Sequence, residues 1–155
     1  MVQMPKKFFV TSGKAASRVS DLNAFDEALL NAGIGEQNLV YVSSILPVGI
    51  KQTRKTSLPM GMITHCVNAQ QRGGEGEMIS AGIAYGFRDD GLGGYVAEGH
   101  MHGNGKALRE VLEWKMAEMA KLRGIKFRSL EYKIEELSIP MDHYGACLAA
   151  LVFLF

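Results

Sequence analysis

The sequence is poor in cysteine, in net charge and in long apolar runs, and each shortage argues against a class of protein. Its two cysteines, Cys66 and Cys147, show neither a disulfide framework nor metal-ligand spacing, so we expect buried free thiols and a reducing, cytoplasmic setting. With 17 basic and 16 acidic residues, the net charge of +1 provides little attraction for nucleic acid or a membrane surface. The N-terminus lacks the apolar core of a signal peptide. The apolar residues 145–155 are too few for a spanning helix, so we expect a buried strand.

The 155 residues, 47% of them hydrophobic, suit one globular domain with a real core. Apolar spacing predicts a helix over 21–32, capped by Ser20 and ended by Gly33, and a second over 106–123, ended by Gly124. Strands are expected at 8–11, 38–45, 62–68, 78–87, 94–99, 127–139 and 145–155, with loops after Thr11 and over 48–57. This order predicts a single α+β domain, an αββα-type sandwich of mainly antiparallel strands with outer helices.

Residues 22–47 hold the most informative motifs: Asn-Ala-Phe-Asp in a helix, the turn Asn-Ala-Gly-Ile-Gly, and a strand ending Val-Ser-Ser-Ile-Leu-Pro. This segment resembles the pyruvoyl-dependent arginine decarboxylase family. Further matches follow in order at 58–61, 76–80, 98–99 and 145–147. The resemblance covers nearly the whole chain, and the ordered set is far more specific than a Ser-Ser pair alone.

The resemblance implies that the chain cuts itself between Ser43 and Ser44. Decarboxylation of an amino acid needs an electron sink, which a carbonyl that forms a Schiff base with the substrate amine supplies. The Ser44 hydroxyl would attack the Ser43 carbonyl, and elimination would turn position 44 into a covalent pyruvoyl cofactor, without metal or pyridoxal phosphate. Residues 1–43 would form the small chain and 44–155 the large chain. Without the surrounding motifs, the pair would simply be two polar residues leaving a strand.

Two further residues receive catalytic roles from the resemblance. Asn38 is expected to polarise or orient the cleavage site, although an asparagine at a strand start also serves as a turn cap. Glu98 follows a short apolar strand, where a partly desolvated carboxyl group would suit proton donation. The family likeness makes Glu98 the proton donor after carbon dioxide leaves. An ordinary strand-edge glutamate is the alternative.

The resemblance also implies a pocket for the substrate side chain. Asp26, on the first helix, would hold a guanidinium through two parallel hydrogen bonds. A solvated helix carboxylate, favoured by the helix dipole, is the alternative. By their positions in the motif, Leu22, Gly35, Gln37 and Ser43 would line the same pocket.

Two other patterns are discounted. His100 and His102 have His-x-His spacing but lack an evident third ligand, so the polar face of a strand or a loop is favoured over a metal site. The methionine-rich part of the second helix, around Trp114, Met116 and Met119, is expected to be packing surface.

Together, the resemblance implies an enzyme that converts L-arginine to agmatine and carbon dioxide. It implies a homotrimer of processed protomers with active sites between subunits. Three alternatives stay open: a same-fold pyruvoyl enzyme for histidine, a catalytically silent homologue serving as an assembly subunit, and a plain binding module. Asp26 favours a cationic substrate but does not distinguish a guanidinium from an imidazolium.

Overall fold

Two β-sheets face each other, and one helix covers the outer side of each. The computed structural model describes residues 3–155. The elements are β1 (Lys7–Ser17), α1 (Asp21–Ala32), β2 (Asn38–Tyr41), β3 (Ile45–Leu46), β4 (Lys51–Gln52), β5 (Ile63–Gly73), β6 (Met78–Phe87), β7 (Gly94–Met101), α2 (Gly105–Arg123), β8 (Glu131–Ser138) and β9 (Tyr144–Leu154). The first sheet has the order β2-β5-β9-β1-β4, and the second has the order β3-β7-β6-β8. Among the strands of residues 3–155 most pairings are antiparallel, whereas β1–β4 and β2–β5 are parallel.

Three apolar layers hold these elements together, so the predicted αββα sandwich is confirmed. Between the sheets lies a core that includes Phe8, Ile83 and Leu151. The helix α1 packs its alanines on the outer side of the first sheet, whereas α2 packs on the second sheet. The buried α2 residues in this layer are Leu108, Leu112 and Met116, and the partly buried Met119 packs against them.

Both helices begin and end where the sequence predicts, within one residue. The Ser20 hydroxyl accepts the N–H of Asn23 at 3.0 Å, and Gly33 ends α1 with φ 81°. Asn104 caps α2 by accepting the N–H of Ala107 at 2.8 Å, and Gly124 ends it with φ 62°. Side-chain caps and left-handed glycines are local signals, which explains why sequence alone locates them.

Several predicted strand and loop limits are wrong, and in most of them long-range pairing extends a strand. β1 continues to Ser17, in unbroken register with β9, through the segment expected as a loop after Thr11. Gly13 is needed there because an added Cβ would collide with the Ala28 carbonyl oxygen of α1. Likewise, β5 runs on to Gly73 against β9, and the expected loop 48–57 contains β4. The strand expected over 127–139 begins only at Glu131.

The strand expected over 38–45 is divided between the two sheets. Its first part, β2, pairs parallel with β5 in the first sheet. Its last part, β3, pairs antiparallel with β7 in the second sheet. Residues 42–44 therefore cross from one sheet to the other, and we call them the crossover.

Candidate functional site

The crossover changes its hydrogen-bonding partner around Ser43. On one side, the Val42 N–H donates to the Cys66 carbonyl in the first sheet at 3.0 Å. On the other side, the Val96 N–H donates to the Ser44 carbonyl in the second sheet at 2.9 Å. Within residues 3–155, neither the N–H nor the carbonyl of Ser43 bonds to a sheet. The Ser43–Ser44 peptide bond thus begins at a residue outside both ladders, while the Ser44 carbonyl is fixed.

A cavity of about 380 Å³ opens beside the crossover, within the size range of small-molecule sites. We call it the Ser44 cavity. The crossover, β5, β7 and α2 line it, with Val42, Ser43, Ser44, Val67, Val96, Ala97, Glu98, Lys115, Glu118, Met119 and Leu122. Its walls are mainly apolar, and the two carboxyl groups and one ammonium group stand among these apolar side chains.

Glu98, the expected proton donor, lies on β7 and lines the same cavity as Ser43 and Ser44. The structure therefore brings together three of the residues singled out from the sequence. Glu98 is nevertheless exposed in the single chain. The partial desolvation expected for its carboxyl group is therefore not seen in the single chain.

A second, more apolar cavity of about 380 Å³ lies on the other side of the crossover. It shares Val42 and Ser43 with the Ser44 cavity. His65, Pro47 and Phe155 are among its other lining residues. Ser43 thus borders both cavities.

Asn38 does not line the Ser44 cavity. It begins β2, four residues before Val42, which is about 13 Å along an extended strand. Its side-chain amide donates to the Gly61 carbonyl at 2.9 Å. The neighbouring Gln37 donates to the Leu58 carbonyl at 3.0 Å, so both amides bind the start of β2 to the segment 58–61 that precedes β5.

The remaining expected pocket residues also lie outside the Ser44 cavity. Asp26 and Leu22 are exposed on α1, on the outer side of the first sheet. Gly35 packs on Leu30, where an added Cβ would lie 2.6 Å from a methyl carbon. The single chain therefore presents two groups of expected site residues: Ser43, Ser44 and Glu98 in the cavity, and the others elsewhere in the chain.

Comparison with known proteins shows which family the chain belongs to. The model of the family described as "Pyruvoyl-dependent arginine decarboxylase (PvlArgDC)" matches residues 7–155. The chain belongs to the pyruvoyl-dependent arginine decarboxylase family. It is 34% identical to a protein of that name from Methanothermobacter thermautotrophicus, over 96% of each chain. It is also 34% identical to a protein of that name from Methanopyrus kandleri, over 97% of each chain. A third such protein, from Methanocaldococcus jannaschii, is 33% identical over 96% of this chain and 89% of the relative.

In this member of the family, sequence analysis missed the contribution of α2 to the cavity. Lys115, Glu118, Met119 and Leu122 recur at helical spacing and form one side of it. The Lys115 ammonium donates to the Glu98 carbonyl at 2.8 Å. Met116 is buried as expected. The packing prediction is wrong for Trp114, which is 69% exposed, and incomplete for Met119, which also faces the cavity.

Other reactive side chains are engaged elsewhere. Burial raises the pKa of both Cys66 and Cys147 to about 12, so the two thiols stay protonated, and the predicted free buried thiols are confirmed. His100 Nδ1 lies 2.8 Å from the Gln71 side-chain oxygen, and His102 Nε2 lies 2.8 Å from Glu77.

Residues 3–155 contain neither a metal-binding cluster nor a membrane-spanning helix. No group of three or more histidine, cysteine or acidic side chains is placed to hold a metal ion in this part of the chain. No helix there is long and apolar enough to cross a membrane.

Proposed function

We propose that this chain is a self-processing enzyme that uses a pyruvoyl group to convert L-arginine to agmatine and carbon dioxide in the cytoplasm. The observation that carries the proposal is the position of the Ser43–Ser44 bond. It lies in the crossover, at the wall of a cavity that also contains Glu98. Family membership supplies the reaction class, and the names of the relatives point to arginine as substrate.

In the proposed cleavage, Ser44 Oγ attacks the Ser43 carbonyl carbon, and the peptide C–N bond breaks to leave an ester. The Cα proton of residue 44 is then lost, and the bond between Cβ of residue 44 and the ester oxygen breaks. This releases Ser43 as a carboxylate and leaves dehydroalanine at position 44. Tautomerisation to an imine and attack by water release ammonia and leave the pyruvoyl group. Two features support the step: the Ser43 carbonyl is free of both sheets, and the Val96 N–H holds the Ser44 carbonyl.

The cavity suits a pyruvoyl group at position 44. Residue 44 is half-buried at the cavity wall, with apolar Val67 and Val96 beside it. The group would supply the carbonyl that condenses with the substrate amine and accepts the electrons released as carbon dioxide leaves. Glu98, in the same cavity, would deliver a proton to the substrate α-carbon.

The rest of the site would come from a second copy in a homotrimer. Asp26 and Asn38 lie outside the Ser44 cavity of their own protomer, so only a neighbour can bring them to it without rearranging the fold. Glu98 is exposed in the single chain, and a neighbouring subunit would shield its carboxyl group from water. Large apolar side chains around the crossover are also exposed: Tyr41, Ile45, Ile63 and Phe155. Such a surface suits burial against another subunit.

Asp26 would then bind the guanidinium of arginine, with Leu22, Gly35, Gln37 and Ser43 shaping the pocket. The side chain of Asp26 is exposed and makes no ion pair within residues 3–155, so its carboxylate is free for a cationic ligand. Histidine remains the alternative substrate, since an imidazolium would also pair with this carboxylate.

The test is carbon dioxide release by the full chain after incubation, with arginine, histidine, ornithine, lysine and aspartate supplied separately. Release with arginine alone supports the proposal, whereas release with histidine alone reassigns the substrate. Ser44→Ala should fold, stay uncut and release nothing. Ser57→Ala, a serine in the exposed loop, is the matched control and should behave as the parent. If no amino acid gives carbon dioxide, the proposed activity is wrong, and a catalytically silent homologue or a binding module is the remaining interpretation.

A further inference from the structure

Lys115 on α2 reaches into the Ser44 cavity and bonds to the main chain of Glu98. Its ammonium lies 2.8 Å from the Glu98 carbonyl oxygen. We propose that Lys115 is a positioning residue that holds the backbone of Glu98 at the free edge of β7, so that the carboxyl group faces Ser44. This inference rests on the proposed function, because it assigns Lys115 a part in the same reaction.

The edge of β7 lacks a partner at this point within residues 3–155. β3 is only two residues long and pairs with Gly94 and Tyr95. Continuing the same register would place Val42 opposite Glu98. The Val42 N–H, however, donates to Cys66 in the other sheet. The Glu98 carbonyl is therefore left without its ladder donor, and the Lys115 ammonium supplies one.

The local packing accommodates this contact. Gly99 follows Glu98, and an added Cβ there would lie 3.6 Å from the Lys115 nitrogen and 3.0 Å from a methyl carbon of Leu108. The absence of a side chain at Gly99 thus lets α2 and its lysine approach β7 closely. The bond is exposed to solvent, and the charge on its donor strengthens it, since hydrogen bonds from a charged donor are shorter and stronger than neutral ones.

Lys115 has another acidic neighbour on its own helix. Glu118 lies three residues on and lines the same cavity, a spacing that permits an ion pair. Within residues 3–155 the ammonium makes no ion pair and is directed to the Glu98 carbonyl instead. Its position thus favours a role in holding β7 over a surface salt bridge along α2.

The test compares Lys115→Met, which keeps the length of the side chain but removes the donor, with Lys115→Arg, which keeps a cationic donor. Lys121→Met is the matched control, since Lys121 is exposed on the same helix and does not line the cavity. All three should self-cleave as the parent does. We expect kcat for arginine to fall about ten- to a hundredfold in Lys115→Met, because small misplacements of a catalytic group cost that much.

The other readouts separate positioning from binding. KM in Lys115→Met should stay within about twofold of the parent, since a change confined to kcat marks an interaction used only in the transition state. Lys115→Arg should recover most of the loss, and Lys121→Met should show none. Backbone hydrogen exchange in residues 97–101 should rise in Lys115→Met alone among the three.

The possible failures are distinguishable. If the parent is cleaved and active and Lys115→Met matches it in kcat and in exchange, only the role of Lys115 is overturned. A rise in KM at unchanged kcat would make Lys115 a substrate contact and overturn the positioning role. A folded but uncut Lys115→Met would move its role to maturation and equally contradict the proposal. If the parent itself stays uncut, the proposed function fails and the role of Lys115 with it.

Discussion

Gly93, in the turn before β7, sets the distance between that turn and the strand that follows Ser44. Its φ is 94°, and an added Cβ would lie 2.6 Å from the Leu46 carbonyl oxygen. Gly93→Ala therefore combines a left-handed backbone cost of about 1–2 kcal/mol with a clash cost of about 1–3 kcal/mol. To relieve the clash, β3 must move by several tenths of an ångström, which displaces Ser44 from Val96.

We expect Gly93→Ala to slow self-cleavage about ten- to a hundredfold, because the attacking hydroxyl and the carbonyl lose alignment. The assay is a time course of intact mass after expression of the full chain. Gly49→Ala is the matched control, since Gly49 has φ 82° but nothing within 4 Å of an added Cβ. It carries the backbone cost without the clash.

Stability is measured separately by urea unfolding in the Ser44→Ala background, where the chain stays whole. There, Gly93→Ala should lose about 1–3 kcal/mol more than Gly49→Ala. Equal cleavage rates for Gly93→Ala and Gly49→Ala would refute the link between this turn and the alignment of Ser44.

Three other changes test the site. Glu98→Gln should self-cleave yet release carbon dioxide at least about a hundredfold more slowly; normal turnover would reassign the proton donor. Asp26→Asn should raise KM for arginine, whereas Glu27→Gln, at an exposed neighbouring position on α1, should not. If the two variants have the same KM, Asp26 does not belong to the pocket. A thiol reagent at pH 8 should label the cysteines only in urea. Because their pKa is raised from 9.0 to about 12, their contribution to the free energy of unfolding is full below pH 9 and is lost as pH rises towards 12. Labelling of the folded chain, or no loss of stability over that interval, would contradict this.

Sequence alone predicts the elements that local signals define. α1 and α2 follow from helical spacing, from the cap at Ser20 and from the terminating glycines Gly33 and Gly124, whereas the Asn104 cap of α2 is seen only in the structure. The sandwich follows from the order of the elements. Strand ends are less predictable because they depend on partners far along the chain: β1 runs through Gly13 only because β9 lies beside it throughout.

The crossover could not be predicted from the sequence. Residues 38–45 have the composition of one continuous strand, and only the competing partners β5 and β7 divide them. The same limit applies to the cavity. The family likeness points to Glu98. Nothing in the sequence points to Lys115, because the role of Lys115 depends on how α2 crosses the edge of β7. The separation of Asp26 from Ser44 likewise emerges only in three dimensions.

The most direct test of the central claim is the intact mass of the purified full chain after prolonged incubation at its working temperature. The account predicts two fragments, residues 1–43 and 44–155. The larger should be blocked at its N-terminus and lighter by one ammonia than simple hydrolysis of the same bond would make it. A single full-length chain, or a large fragment that keeps a free Ser44 amine, would contradict the account.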